Sequence, residues 1–126
     1  MILLDTHSLI WFMYDDSKIP ESTLKRIKTE NKVYVSVVSL WEIAIKQSLG
    51  KLSITNTVSE IVDKCKETNI SILPIEPQHL DHIKSLPGIH GDPFDRLLIS
   101  QAVIEGMTLI TKDSIIPKYE VAVFWE

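Results

Sequence analysis

The chain has 126 residues, 44% apolar and 24% charged, with 17 acidic against 13 basic side chains and a formal charge of −4. That length fits one domain, residues 1–126, which buries roughly two-thirds of its unfolded surface without staples. The balance excludes a fibrous repeat, a disordered tail and a strongly basic, non-specific DNA binder.

Ile2-Leu3-Leu4 is a short apolar run and predicts a strand, after which Asp5, Thr6, His7 and Ser8 supply capping side chains for a helix through Leu9 to Met13. Asp15-Asp16-Ser17 breaks the pattern, and Pro20 opens a weakly amphipathic helix from Glu21 to about Thr29. Val33 to Val37 is β-branched and aromatic, hence a second strand, and Ser39 to Leu49 reads as a helix stopped by Gly50. Thr57 to Thr68 carries Val58, Ile61, Val62 and Cys65 at helical spacing, and Ile70 to Leu73 is a third strand closed by Pro74. Pro77 opens a helix to about Ser85, and Leu86 to Gly91 is a loop. Pro93 to Glu105 is an apolar helix ended by Gly106, Met107 to Thr111 a fourth strand, and Val121 to Trp125 a fifth. Strands alternating with helices predict an α/β sandwich with a central, mostly parallel sheet of four or five strands.

Cys65 is the single cysteine, so neither an internal disulfide nor a thiolate metal cluster can form, and packing is its expected role. No apolar run approaches the ~20 residues of a membrane span and no basic leader precedes Ile2, so the chain is expected to be cytoplasmic with no membrane partner.

Four carboxylates stand where segments change type: Asp5 after the first strand, Glu42 on the helix from Ser39, Asp95 in Asp-Pro-Phe-Asp-Arg, and Asp113 after the fourth strand. Together they account for the whole acidic excess. Each also has an ordinary structural reading. Ser39-Leu-Trp-Glu42 matches a capping box, Asp92-Pro93-Phe94-Asp95 a helix start, and Asp5 and Asp113 could cap the helices after their strands. Helical phase argues further, because Asp95 shares a face with Leu98, Ile99 and Ala102, and Glu42 with Ile45 and Leu49. Two inward carboxylates without positive partners are expensive. If the first and fourth strands lie parallel in one sheet, Asp5 and Asp113 leave it at the same edge, where open α/β sheets carry their chemistry. Like charges gathered there repel by about 4 kcal/mol per pair at about 4 Å, and a divalent cation would relieve that. Asp92 reads as a cap for the following helix or as an added ligand beside Asp95.

Oxygen donors without a histidine or cysteine pair suit Mg²⁺ or Mn²⁺ rather than zinc, and His7, His79, His82 and His90 lack zinc-site spacing. One ion or two stays open. Of the nearby cations, Lys46 is placed for an i,i+4 pair with Glu42, and Arg96, with its planar fork, is expected to hold a phosphate. No Gly-x-Ser-x-Gly elbow and no glycine-rich phosphate loop occurs.

With these residues assembled, the chain resembles the PIN-domain proteins, and among them the VapC-type ribonuclease toxins of type II toxin–antitoxin pairs. The resemblance rests on Leu4-Asp5-Thr6-His7, Ser39-Leu-Trp-Glu42-Ile-Ala-Ile-Lys46 with Gly50-Lys51-Leu52, His90-Gly-Asp92-Pro-Phe-Asp95-Arg96-Leu-Leu, and Leu109-Ile-Thr111-Lys-Asp113, in that order along nearly the whole chain. It implies that Asp5, Glu42, Asp95 and Asp113 hold Mg²⁺ or Mn²⁺ and that Thr6, Ser39 and Thr111 support them by hydrogen bonds. It further implies a PIN-like α/β/α sandwich, endonucleolytic cleavage of RNA, a homodimer, and silencing by a cognate antitoxin. Three rival readings stand beside it: a PIN-like nuclease acting on DNA, an aspartyl-phosphate phosphatase that His7 disfavours at its second acid position, and a non-catalytic α/β binding module whose acids only cap helices. Trp11 and Phe12, adjacent on one helix, and Trp41 beside Glu42 read as core packing or as a partner surface.

Overall fold

The computed structural model describes residues 1–126. Five strands, β1 (Ile2–Leu4), β2 (Val33–Ser36), β3 (Ile70–Leu73), β4 (Thr108–Ile110) and β5 (Val123–Phe124), form one sheet in the order β3-β2-β1-β4-β5. Every pairing is parallel, with Leu4 level with Val35 on one side and Ile110 on the other. The chain builds outward from β1 to β3, then crosses back to add β4 and β5 on the opposite side. Beyond the C-terminal ends of β1 and β4, where the connections diverge, a crevice opens.

Six helices cover the sheet: α1 (Thr6–Tyr14), α2 (Glu21–Thr29), α3 (Val37–Ser48), α4 (Val58–Glu67), α5 (Pro77–Ile83) and α6 (Pro93–Glu105). Strand alternation sorts the core into two layers. Ile2 and Leu4 join Leu9, Ile27, Ile43, Ile61 and Cys65 on one face, whereas Leu3 and Leu109 join Leu97, Leu98, Ile99 and Ile116 on the other. A central strand covered on both faces has no polar side, which is why Ile2-Leu3-Leu4 is continuously apolar and fully buried. Truncating a residue such as Leu98 to alanine there costs about 2–5 kcal/mol.

The strands are shorter than their apolar runs, for local reasons. Ser36 ends β2 and caps α3, its hydroxyl accepting from the Val38 N–H at 3.0 Å. The helix therefore starts at Val37 rather than Ser39, and the expected Ser39–Glu42 capping box does not form. Thr111 leaves β4 because its hydroxyl accepts the Asp113 N–H at 3.0 Å. Val121 stays outside β5, its N–H turning back to the Tyr119 carbonyl at 2.9 Å. Short 3₁₀ turns at Asp16–Lys18 and Ile116–Lys118 were not legible in the sequence pattern. Gly106 closes α6 at φ 67°, a left-handed conformation that a side chain would strain. Trp11 and Phe12 both pack, partly buried, against the first core layer, while Trp41 is 57% exposed.

Candidate active site

Four of the five acids of interest are delivered by the start of a helix or turn at the C-terminal sheet edge. Asp5 follows β1 and caps α1, its Oδ1 accepting the Ser8 N–H at 2.9 Å. Asp113 follows β4, its Oδ1 accepting the N–H groups of Ile115 at 2.6 Å and Ile116 at 3.1 Å. Asp92 caps α6 through Oδ1, at 2.9 Å from the Phe94 nitrogen and 3.1 Å from that of Asp95. Asp95 lies in the first turn of α6 and Glu42 further along α3. All five carboxylates line one cavity of about 480 Å³, together with Thr6, His7, Trp11, Lys46, Lys112 and Ser114. Capping and convergence are therefore compatible: in Asp5, Asp92 and Asp113 the cap engages one oxygen and leaves the other uncommitted to the backbone. A larger cleft of about 1010 Å³, at the opposite sheet edge near Lys28, Lys66 and Asn69, contains one carboxylate, Glu30, already paired with the N-terminal ammonium. It has no cluster of reactive groups.

Hydrogen bonds hold the acids in place. Thr6 donates to Glu42 Oε1, Ser39 Oγ lies 3.0 Å from Thr6 Oγ1, and Lys46 Nζ meets Glu42 Oε2 at 3.1 Å. Ser36 donates to Gln101 Oε1 at 2.6 Å, a buried contact that ties α6 to the end of β2 and so fixes the helix bearing Asp95 against the one bearing Glu42. Sequence spacing gave no sign of it, since the partners are 65 residues apart.

Charge in this crevice is poorly compensated. Burial pushes the Asp5 carboxyl above its usual range, opposed by hydrogen bonds from Thr111 and Ser8. Burial likewise pushes Asp95 up to about 6, with the Asp92 and Asp113 charges adding and a His90 hydrogen bond opposing. Lys46 pairs with Glu42 and His90 meets Asp95, but Asp5, Asp92 and Asp113 form no ion pair. Asp5 is only 7% exposed.

His90, which lies beside Asp92 in the sequence and could on that ground touch substrate, reaches the site through Asp95. The loop 86–91 folds back so that His90 Nε2 lies 3.2 Å from Asp95 Oδ2 and Nδ1 lies 2.7 Å from Tyr119 Oη. Donor chemistry orders this chain. Arg96 has donors only, so Tyr119 Oη accepts from its Nη1 at 3.1 Å. Because an ionised Asp95 carboxylate only accepts, a singly protonated His90 ring keeps its proton on Nε2 and accepts the Tyr119 proton at Nδ1. Nε2 then carries the ring proton and donates it to Asp95. Arg96 itself departs from expectation. Its guanidinium does not line the cavity but donates to the carbonyls of Pro87 at 2.8 Å, Leu86 at 3.4 Å and His90 at 3.5 Å. A loop that turns back on itself leaves carbonyls unpaired, and the five-donor fork is suited to satisfying them.

The donor set is all oxygen and suits a hard cation, and a buried Asp5 with no cationic partner is what such an ion would neutralise. No three of these groups close on a single point. They surround a cavity of about 480 Å³ instead.

A fully parallel α/β sandwich with an acid-lined crevice at its topological switch point is the class that this fold and site define. The PIN domain family model matches residues 2–122, and the chain belongs to that family. Among curated proteins it is similar to Ribonuclease VapC22 of Mycobacterium tuberculosis, 25% identical over 113 residues that cover 89% of this chain and 86% of that protein. In fold it is similar to a chain of VapBC2 from Rickettsia felis bound to a DNA fragment from their promoter, with a TM-score of 0.75, 17% identity and 100% coverage of both chains. DNA-bound VapBC from Salmonella typhimurium gives a TM-score of 0.68 at 16% identity, covering 98% of each chain.

Proposed function

We propose that the protein is a divalent-metal-dependent endoribonuclease, the toxin of a type II toxin–antitoxin pair, hydrolysing an RNA phosphodiester. One observation carries this reading: Asp5, Glu42, Asp92, Asp95 and Asp113, drawn from distant parts of the chain, line a single cavity with too little positive charge of its own. PIN membership and the similarity to a protein named Ribonuclease VapC22 support RNA as the substrate.

Asp5, Glu42, Asp95 and Asp113 would hold Mg²⁺ or Mn²⁺, with Asp92 at the rim. When bound, the ion supplies charge to the phosphodiester and lowers the pKa of a water for in-line attack. The chain's own groups orient the acids. Thr6 and Lys46 fix the two Glu42 oxygens, Thr111 and Ser8 hold Asp5, and the His90 N–H holds Asp95 Oδ2. Lys46 and Lys112 are the cations lining the cavity and attract the substrate phosphate. Loss of the 3′ oxygen leaves 5′-phosphate and 3′-hydroxyl ends.

The same reading makes a cognate antitoxin and a second copy of the chain its protein partners. Trp41, 57% exposed and edge-on to Phe94 at 5.2 Å, is an apolar patch beside Glu42 and Asp95 suited to an antitoxin segment. The test is cleavage of single-stranded RNA with Mg²⁺ or Mn²⁺, lost in EDTA and in Asp95→Asn or Glu42→Gln, with sequenced ends. Metal-independent cleavage, or full activity in either variant, overturns the reading.

A further inference from the structure

Of the five carboxylates lining the cavity, Glu42 is the one that a lysine already holds. Lys46 Nζ lies 3.1 Å from Oε2, while Thr6 donates to Oε1, so both oxygens of Glu42 are engaged. Its neighbours differ. Asp5, Asp92 and Asp113 form no ion pair, and Asp95 meets the His90 ring. The second lysine of the cavity, Lys112, has no carboxylate partner, and its Nζ rests 5.8 Å from the centroid of the Trp11 ring.

Helical spacing sets the Lys46 contact, one turn after Glu42 on α3, with 33% of the lysine side chain and 14% of the glutamate side chain exposed. An i,i+4 pair open to water on this scale is weak. A hard dication and an ammonium also compete for one carboxylate oxygen, because an oxygen bearing both would hold like charges a few ångströms apart. The weaker partner leaves. Space for it is at hand, since Lys46 also lines a second groove of about 430 Å³ that shares His7 and Trp11 with the acid cavity. Resting on the reading that these acids hold Mg²⁺ or Mn²⁺, we infer that Lys46 is a built-in substitute for the metal at Glu42. In the metal-free protein it keeps Glu42 ionised and in place. Arrival of the ion displaces it, and the freed ammonium then meets the substrate phosphate, so metal loading and phosphate capture pass through one side chain.

The test titrates the full metal-free chain with Mn²⁺ in a calorimeter, wild type beside Lys46→Met and Lys46→Arg. Lys46→Met keeps the reach of the side chain without its charge and is expected to bind Mn²⁺ about fivefold more tightly or better, whereas Lys46→Arg stays near wild type. A lysine that only orients Glu42 gives the opposite sign. Weaker or unchanged Mn²⁺ binding by folded Lys46→Met therefore overturns the inference. The wild-type Lys46 ¹⁵Nζ resonance, expected to move when Mg²⁺ is added, supplies a reading that needs no variant, and a resonance that stays put overturns the displacement. At saturating Mn²⁺ the KM of Lys46→Met for RNA should rise about fivefold, and an unchanged KM overturns phosphate capture by the freed ammonium. Absence of Mn²⁺ binding in both wild type and Lys46→Met overturns the metal reading itself.

Discussion

Replacing Asp95 by asparagine removes a charge from a place where the apo fold resists it. The Asp95 carboxyl is pushed from 3.8 up to about 6, first by burial and then by the Asp92 and Asp113 charges. That difference corresponds to about 3 kcal/mol as a ceiling. The side chain is 22% exposed to a water-filled cavity, and screening there reduces the expected effect to about 1–2 kcal/mol. Because the folded carboxyl binds its proton more tightly than the unfolded one, the native state holds more protons between pH 3.8 and about 6. Apo wild type therefore loses stability as pH rises through that window, and the loss is complete above it. In EDTA at pH 7.5, Asp95→Asn is expected to melt about 3–8 °C higher than wild type, and the gain should vanish near pH 4. Saturating Mg²⁺ reverses the order, because an ion at about 100 times its Kd adds about 2.7 kcal/mol to a state that binds it, and the variant binds weakly. Thermal melts by circular dichroism across pH, with and without metal, provide the measurement. A variant that melts lower at pH 7.5 in EDTA, or gains equally at pH 4, refutes the reasoning.

Three further outcomes follow from the same geometry. Tyr119→Phe removes the proton that fixes the His90 ring, and Mn²⁺ affinity by calorimetry should fall about 10–100-fold while the ¹⁵N signature of an Nε2-protonated His90 is lost; an unchanged signature contradicts the ordering of the chain. Arg96→Ala leaves loop carbonyls unpaired and should cost about 2–4 kcal/mol in urea unfolding, with Arg96→Lys a poor rescue. A loss of RNA affinity without a loss of stability would instead restore Arg96 as a phosphate holder. Ser36→Ala removes both the cap of α3 and the Gln101 partner, and should destabilise by about 1–3 kcal/mol, read from denaturant midpoints.

What the sequence could convey was set by the range of each interaction. The central strand announced itself because burial on both faces leaves Ile2, Leu3 and Leu4 no polar option, and α6 was bounded by Asp92-Pro93 at one end and Gly106 at the other. The four acids could be placed together because β1 and β4 are neighbours in a parallel sheet, and parallel order follows from alternating strands and helices. The start of α3 was misplaced because Val37 and Val38 carry strand propensity, which the Ser36 cap and the burial of Val38 override. The hydrogen-bond partners of Arg96 and His90 were not legible for a different reason. Their partners, Tyr119 and the carbonyls of residues 86–90, are brought in by the return of a loop that no periodicity describes.

The proposal that these four acids together hold a divalent cation is tested most directly by titrating the apo protein with Mn²⁺ in a calorimeter, beside Asp5→Asn, Glu42→Gln, Asp95→Asn and Asp113→Asn. Saturable binding by wild type, weakened at least tenfold by each substitution while the folds remain intact, is the predicted result. Wild-type affinity in any one of the four, or no binding by wild type, would contradict it.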